Sequence, residues 1–108
     1  MPSDIPEPDW RRFKEIHQKL LDRYCRQILE EAADVCGSAD GTSHDQYLQL
    51  YKLIHERDKQ MAHGFNDFRR STAVMQLAIM RRMKLLTDEE LRLFSEQTRN
   101  RVEGIASL

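Results

Sequence analysis

The sequence predicts an all-α protein: an elongated antiparallel helical bundle with two long helices, at about 9–36 and 43–84, and two short C-terminal helices, at about 88–94 and 96–104. Two observations predict this class. With four Gly and three Pro among 108 residues, the chain contains few helix breakers. Apolar residues make up 40% of the chain and recur every three or four positions, which is the period of one helix face.

The first helix is predicted to begin at Asp9, whose carboxylate can cap the free amides of a first turn. Its apolar stripe has helical spacing and consists of Trp10, Phe13, Ile16, Leu20, Tyr24, Ile28, Ala32 and Val35. Gly37 suits the left-handed position that ends many helices, and the polar residues 37–42 form a short loop. Residues 1–8 are expected to be a flexible tail, and residues 9–108 a single helical domain.

The second helix is predicted to begin at Ser43, which forms a capping box with Gln46. Its seam alternates steps of four and three residues, as in a coiled coil, along Tyr47, Tyr51, Ile54, Asp58, Met61, Phe65, Phe68, Thr72, Met75, Ile79, Arg82 and Leu86. Gly64 and Asn66 lie in its middle, but the alternation stays in phase across them. This favours one continuous helix, about 60 Å long, over two shorter helices.

Capping signals define the two short C-terminal helices. Thr87 and Glu90 match a capping box, and Leu86 and Leu91 occupy the positions of a hydrophobic staple. Ser95 is a second candidate N-cap. Because the first helix is about 20 Å shorter than the second, these two helices are expected to cover the far end of the long second helix.

The far end of that long helix is the predicted partner interface. Residues 73–80 read AVMQLAIM and are apolar nearly all the way round, which is typical of a helix buried on several sides. Two short helices offer little cover, so we expect a second copy or another protein to complete the burial. The candidate interface consists of Val74, Met75, Ile79, Met80 and Met83.

Asp58 lies on the predicted seam, where an unpaired carboxylate is costly. In an antiparallel homodimer that crosses near His63, Asp58 of one copy would lie opposite Arg69 of the other, twice by symmetry. Asp58 and Arg69 are therefore a candidate register pair. The alternative is that Asp58 is solvated just off the seam, or pairs with a basic residue of the first helix.

Basic residues concentrate in residues 67–86, where five basic and one acidic side chain give a net charge of +4. The candidate basic surface comprises Arg69, Arg70, Arg81, Arg82 and Lys84. Residues 71–94 also have the outline of a helix-turn-helix motif. However, Asp88, Glu89 and Glu90 would face the phosphates at the start of its second helix, so nucleic-acid binding is a weak alternative.

Histidines and catalytic motifs give little indication of chemistry. The four histidines, His17, His44, His55 and His63, never stand three or four residues apart, as helical metal ligands do. A small-ligand or metal module, with Tyr51, His55 and His63 lining a gap between helices, is kept as an alternative. No phosphate-binding loop, nucleophile elbow or Cys-x-x-Cys pair is present, so we predict a non-enzymatic protein without metal or cofactor.

Compartment is predicted from cysteines and hydropathy. Cys25 and Cys36 fall on one helix about 16 Å apart, too far for a disulfide. The amino terminus has no secretory signal, and no apolar run approaches the roughly 20 residues that cross a bilayer. We therefore expect a cytoplasmic protein without membrane contact.

The chain resembles short uncharacterised helical proteins of proteobacteria. The resemblance rests on an aromatic-led first helix, on the RD and RRST segments of the second, and on the ending LLTDEELRLFSEQTR. It implies an all-helical fold over most of the chain and transfers no catalytic or ligand residue. The leading functional prediction is a structural or interaction protein, with homodimerisation through the long second helix as one form of it.

Overall fold

Residues 4–108 are described by a computed structural model, and they form five α-helices and one 3₁₀ turn. The helices are α1 Glu7–Gly37, α2 Ser43–Phe65, α3 Ala73–Arg82, α4 Asp88–Leu91 and α5 Glu96–Ala106, and the 3₁₀ turn is Arg70–Thr72. The described chain measures 55 × 24 × 24 Å. The predicted all-α class is confirmed, and the shape is elongated.

Helices α1 and α2 form a hairpin in which the chain runs back along itself. The Glu31 carboxylate binds Arg57 (2.9 Å), and the Tyr24 hydroxyl lies 3.0 Å from Gln60 Oε1. Nearer the open end, the rings of His17 and Phe65 stand 5.4 Å apart. As residue numbers fall along α1 they rise along α2, so the two helices point in opposite directions.

The prediction of one continuous helix from 43 to 84 is wrong, because α2 ends at Phe65. Asn66 is extended (ψ 161°), and Asp67 adopts a left-handed conformation (φ 56°). Thr72 stabilises the turn, since its hydroxyl donates to the carbonyl of Asp67 (2.6 Å) and accepts from the amide of Arg69 (3.1 Å). Gln76 donates from its side-chain amide to the carbonyl of Asn66. The break follows Gly64 by two residues.

The break folds α3 back into the molecule, where it packs on α2 and α5. The apolar segment 73–80 is thereby buried within one chain, as its fully or nearly fully buried residues Ala73, Val74, Leu77, Ala78 and Met80 show. The core also receives Phe13 and Leu20 from α1 and Val102 from α5. The predicted partner interface is wrong for Val74 and Met80, because the chain itself supplies their cover.

The amino-terminal segment is more ordered than the predicted tail of residues 1–8. Ile5 is fully buried, its carbonyl accepts from Arg70 Nε (2.7 Å), and α1 starts at Glu7. Residues 1–3 of the predicted tail lie outside the described residues.

The prediction that Asp9 caps α1 is wrong, since the N-cap position is Pro6. The buried carboxylate of Asp9 accepts instead from the amide and hydroxyl of Ser95 (2.9 and 2.6 Å) and from the hydroxyl of Thr98 (2.5 Å). Burial by itself raises the pKa of Asp9, but these hydrogen bonds outweigh it, so the pKa lies below its ordinary value. Asp9 therefore fastens the start of α5 to the start of α1.

Other termini agree with the sequence in part. Thr87 caps α4 in a capping box with Glu90, and Ser95 caps α5, as predicted. The cap of α2 is Thr42 with Asp45, one residue before the predicted pair, because the hydroxyl of Thr42 is the one that meets the Asp45 amide (3.1 Å). Gly37 stays within α1, and the left-handed glycine of the loop is Gly41 (φ 75°).

Candidate functional site

The half of the α1–α2 hairpin that carries the loop projects beyond the core. None of residues 29–60 is buried, whereas every buried residue of α1 lies at or before Ile28 and those of α2 are Gly64 and Phe65. We call residues 29–60 the hairpin arm. Two helices alone cannot enclose an apolar side chain on all sides, so the arm leaves apolar surface uncovered.

The two sides of the hairpin differ in chemistry. On one side, a cleft of about 300 Å³ is lined by Tyr24, Gln27, Glu31, Arg57, Gln60 and Met83, and most of these are polar. On the other side, a shallow groove of about 210 Å³ is lined by Cys25, Ile28, Leu29, Ile54, Asp58 and Met61. Among the residues that line this groove, Asp58 alone carries a formal charge.

Tyr47 and Tyr51 continue the four-and-three spacing of Ile54, Asp58 and Met61 towards the loop, so they extend the same side of α2. We call this surface the apolar face, and it consists of Cys25, Ile28, Leu29, Tyr47, Tyr51, Ile54, Asp58 and Met61. Four of its large side chains are exposed, namely Tyr47 (62%), Tyr51 (61%), Leu29 (59%) and Ile54 (44%), whereas Ile28 is buried and Met61 is partly buried. Leu48, at the edge of the face, is 47% exposed.

Histidine rings support both tyrosines of the apolar face. The ring of His55 stacks on Tyr51 (5.8 Å between centroids, 7° between planes), and His44 stacks on Tyr47 (6.4 Å between centroids for a pair three residues apart, 15° between planes). Side chains three and four residues apart on a helix are neighbours. Stacking restricts the tyrosine rotamers, so less side-chain entropy is lost when a partner covers the rings.

The candidate register pair is not brought together. Asp58 is exposed on the apolar face, which agrees with the alternative interpretation of a solvated carboxylate. Arg69 lies in the turn after α2, where it binds Asp67 (Nε–Oδ1 2.7 Å). The pairing of Asp58 with Arg69 required a continuous helix through both positions, and the break at 66–69 removes that geometry.

The candidate basic surface is largely neutralised by carboxylates and carbonyls. Arg70 binds Glu7 (3.0 Å) and the carbonyl of Ile5, and Arg69 binds Asp67. Arg81 binds Glu103 (2.9 Å) and Asp88. Of the five residues, Arg82 and Lys84 alone make no ion pair within residues 4–108.

The remaining residues of the predicted partner interface lie near the surface, apart from the apolar face. Met75 is 53% exposed, whereas Ile79 and Met83 are partly buried. Ile79 and Met83 line a cleft of about 340 Å³ between α2 and α3, together with Gln60, His63 and Arg82. We call it the α2–α3 cleft. His63 thus borders a cleft, as the ligand-binding alternative required, but Tyr51 and His55 do not line it.

His17 occupies an aromatic box formed by α1 and the turn after α2. Its ring stacks on Phe68 (3.7 Å, 20°) and meets Phe13 edge-on (5.6 Å). His17 Nε2 is buried and makes no hydrogen bond within the described chain. Burial therefore lowers the pKa of His17 and favours the neutral imidazole.

Metal-binding geometry is absent from residues 4–108, where no group of three or more His, Cys, Asp or Glu side chains is placed to hold an ion. Both cysteines are free; Cys25 is partly buried on the apolar face and Cys36 is exposed. Within the same part of the chain, every helix is too short or too polar to traverse a lipid bilayer.

No protein-family model matches this chain, and neither a curated protein nor a solved structure is significantly similar to it. The resemblance to short helical proteins of proteobacteria therefore stays an expectation from the sequence. Function has to be inferred from the surface itself.

The α2 positions of the apolar face belonged to the predicted seam, but Leu29 of α1 was not considered and the face itself was not recognised. Tyr47, Tyr51 and Ile54 all belong to the predicted seam, yet the interface was assigned to the opposite end of that seam, after residue 72. The available signal was the contrast between two stripes on α2. Leu50 and Leu53 form one apolar stripe, which is partly buried. Tyr47, Tyr51 and Ile54 form a second stripe, which is exposed because α1 cannot cover both.

Proposed function

We propose that this protein is a non-enzymatic interaction protein that pairs with a second copy of itself through the apolar face of its hairpin arm. The observation that carries the proposal is the exposure of Leu29, Tyr47, Tyr51 and Ile54, each 44–62% accessible on one side of the hairpin. The largest contiguous apolar patch on a monomeric protein covers about 300–600 Å² and is often a functional surface. A patch of this kind marks a surface that another protein covers.

The exposed area is sufficient for a modest dimer. Five large side chains, including Leu48, are each about half exposed. At about 100 Å² for each, they present about 500 Å² per copy, and two copies would bury about 1,000 Å². This is close to the lower limit for a specific protein interface, so we expect a reversible dimer rather than an obligate one.

The sparse charge of the apolar face favours a second copy over a strongly charged partner. Asp58 is the one formally charged member of the face. An acidic or basic partner would gain little electrostatic complementarity from it. A second copy presents the same apolar side chains, as a two-fold interface requires.

Spacing along α2 defines how two copies align. Tyr47, Tyr51, Ile54 and Asp58 are separated by steps of four, three and four residues, which read the same in both directions. When two antiparallel α2 helices are related by a two-fold axis midway between Tyr51 and Ile54, each of these four residues therefore faces another of the four on the second copy. Tyr51 then packs on Ile54 of the second copy, and the hydroxyl of Tyr47 faces the carboxylate of Asp58 of the second copy.

A second alignment also satisfies the spacing but suits the chemistry less well. Its axis lies midway between Ile54 and Asp58. The spacing from Tyr51 to Met61, in steps of three, four and three residues, is symmetric about this point. It places Asp58 against Ile54 of the second copy and leaves both carboxylates covered without a hydrogen-bond donor, which is costly. The first alignment supplies a donor to each carboxylate.

Sedimentation equilibrium of the full chain and two matched variants tests the proposal. Ile54→Asp places a charge in the apolar face, whereas Met75→Asp makes the same change at an exposed apolar position outside it. We expect concentration-dependent dimers for the parent and for Met75→Asp, and monomers for Ile54→Asp. A parent chain that stays monomeric up to several hundred micromolar, or dimers that survive Ile54→Asp, would contradict the proposal.

A cytoplasmic location belongs to the same proposal. Two free cysteines, one of them exposed, are in keeping with a reducing compartment, where thiols persist. Nucleic-acid binding is the less favoured alternative, because carboxylates neutralise Arg69, Arg70 and Arg81.

A further inference from the structure

We propose that the α2–α3 cleft is a binding site for an organic anion, specifically a carboxylate that carries an apolar chain. The cleft lies between α2 and α3, is open to solvent and has a volume of about 340 Å³, within the range of small-molecule sites. Its five lining residues divide into three polar side chains that present donors and two apolar ones. The inference does not depend on dimerisation, because the cleft shares no residue with the apolar face.

Gln60 lines the cleft, and the oxygen of its side-chain amide lies close to two donors. Gln60 Oε1 lies 3.0 Å from the hydroxyl of Tyr24 and 3.5 Å from Nη1 of Arg57. Tyr24 of α1 and Arg57 of α2 both lie at the oxygen end of this amide, and the Tyr24 hydroxyl also lies 3.1 Å from the carbonyl of Arg57. The NH₂ group at the other end has two hydrogens to donate.

Arg82 gives the cleft a positive charge that the protein does not neutralise. Its side chain is exposed and makes no ion pair within residues 4–108, unlike Arg81 beside it, which binds Glu103. None of the residues lining the cleft is acidic. Glu31 borders the neighbouring cleft, but Arg57 already binds its carboxylate (2.9 Å). A guanidinium with free donors binds a carboxylate in a two-pronged geometry.

His63 adds a third polar group whose ring can donate to an anion. Ile79 and Met83 complete the wall with partly buried apolar side chains. Methionine is unbranched and adapts its shape to a flexible chain. The lining therefore matches an amphipathic anion better than inorganic phosphate, which has no apolar part, and better than a neutral lipid, which has no charge for Arg82.

Titration of the full chain with octanoate, followed by ¹H–¹⁵N spectra, tests the site. We expect saturable shifts at the side-chain amide of Gln60 and at the backbone amides of His63 and Met83. Acetate, which lacks the chain, and octylammonium, which has the opposite charge, should bind at least about tenfold more weakly. Octanoate and octylammonium are used below the concentrations at which they form micelles.

Arg82→Gln removes the charge from an exposed position and should weaken octanoate binding about tenfold, the usual loss for a charge-assisted hydrogen bond. Arg26→Gln is the matched control, since Arg26 is exposed on α1 and lines none of these clefts. It should leave the affinity unchanged. Equal binding of octanoate and octylammonium, unchanged affinity in Arg82→Gln, or shifts confined to Leu29 and Ile54 of the apolar face would overturn the proposal.

Discussion

Arg23 of α1 and Glu90 of α4 form a two-pronged ion pair, with Nη1–Oε1 at 2.7 Å and Nη2–Oε2 at 2.9 Å. The Glu90 side chain is only 9% exposed, and it also accepts from the amide of Thr87 to complete the cap of α4. Arg23 donates further to the carbonyl of Leu85 (2.7 Å). One guanidinium thus holds the segment between α3 and α4 against α1.

Replacement of Arg23 by alanine should destabilise the fold by about 2 kcal/mol, because it leaves the buried carboxylate of Glu90 without its main partner. Arg12→Ala is the matched control, since the Arg12–Glu15 pair lies on the surface of α1. Its effect should stay below about 0.5 kcal/mol. Urea denaturation measures both changes, and equal losses for the two variants would disprove a special role for the Arg23–Glu90 pair.

Acid should destabilise the protein through Asp9 and Glu90. Burial raises the pKa of Glu90, but hydrogen bonds from Arg23 and Thr87 outweigh it, so its pKa, like that of Asp9, lies below the ordinary value. The unfolded chain then binds protons more readily than the folded chain. Stability should be retained above about pH 4.5 and lost as pH falls through the folded pKa values. Asp9→Asn should reduce this loss in urea denaturation series measured from about pH 5 to about pH 3, and an unchanged slope would contradict it.

His17 should add a separate loss of stability at higher pH. Because burial lowers its pKa below the ordinary 6.5, the folded state holds the neutral ring while the unfolded chain protonates first. The contribution of His17 to the free energy of unfolding should be fully present above about pH 7 and should fall as the pH drops below about 6.5. His17→Phe keeps an aromatic ring against Phe68 and should abolish this step, whereas His55→Phe should leave it intact. Urea denaturation across this range measures the step, and its persistence in His17→Phe would assign it to another group.

The two tyrosines of the apolar face distinguish the proposed alignment from its rival. Tyr47 and Tyr51 are about equally exposed, but only Tyr47 donates to Asp58 of the second copy when the axis lies between Tyr51 and Ile54. At about 1 kcal/mol for each of two symmetric bonds, Tyr47→Phe should weaken the dimer about thirtyfold. Tyr51→Phe should change it less than about threefold. Sedimentation equilibrium would refute the alignment if Tyr51→Phe proved the more damaging change.

Replacement of Gly41 and of Gly37 by alanine should change the stability of the protein in opposite directions. A Cβ at Gly41 would lie 2.7 Å from Oδ2 of Asp45, and its φ of 75° is strained for other residues. Gly41→Ala should therefore cost about 1–2 kcal/mol. Gly37 is the last residue of α1, where an added Cβ would meet no heavy atom within 4 Å, so Gly37→Ala should stabilise the protein by about 0.5 kcal/mol. Thermal unfolding measures both changes in stability. If both variants were stabilised or both were destabilised, the result would contradict the loop geometry.

Helical periodicity predicted the elements whose apolar stripe faces the core. The position of α1 followed from its apolar spacing, and the caps at Thr87 and Ser95 followed from local chemistry, whereas the capping role predicted for Asp9 was wrong. The break after α2 did not, because Phe65 and Phe68 both face α1 and keep the four-and-three spacing through the turn. The left-handed position of the turn is occupied by Asp67, and not by Gly64, the glycine that precedes the break.

The candidate site was harder to predict, because it depends on which helix faces the chain itself covers. Val74 and Met80 are as apolar as Tyr51 and Ile54, and the sequence does not distinguish an internal neighbour from an external one. Arg81 likewise belongs to a basic run in the sequence, yet Glu103 reaches it from a distant position and Asp88 from the start of the next helix. Such contacts between elements have no local signature.

Because the core lies at one end of the hairpin, the two ends of the molecule should differ in how easily they open. Helices that lack buried side chains are held mainly by their own backbone hydrogen bonds, and segments of that kind open at a lower free energy than the global transition. The amides of residues 29–60 should therefore exchange with solvent deuterium before those of α3 and α5. Association of two chains would raise the protection of this outer half above what each chain achieves alone.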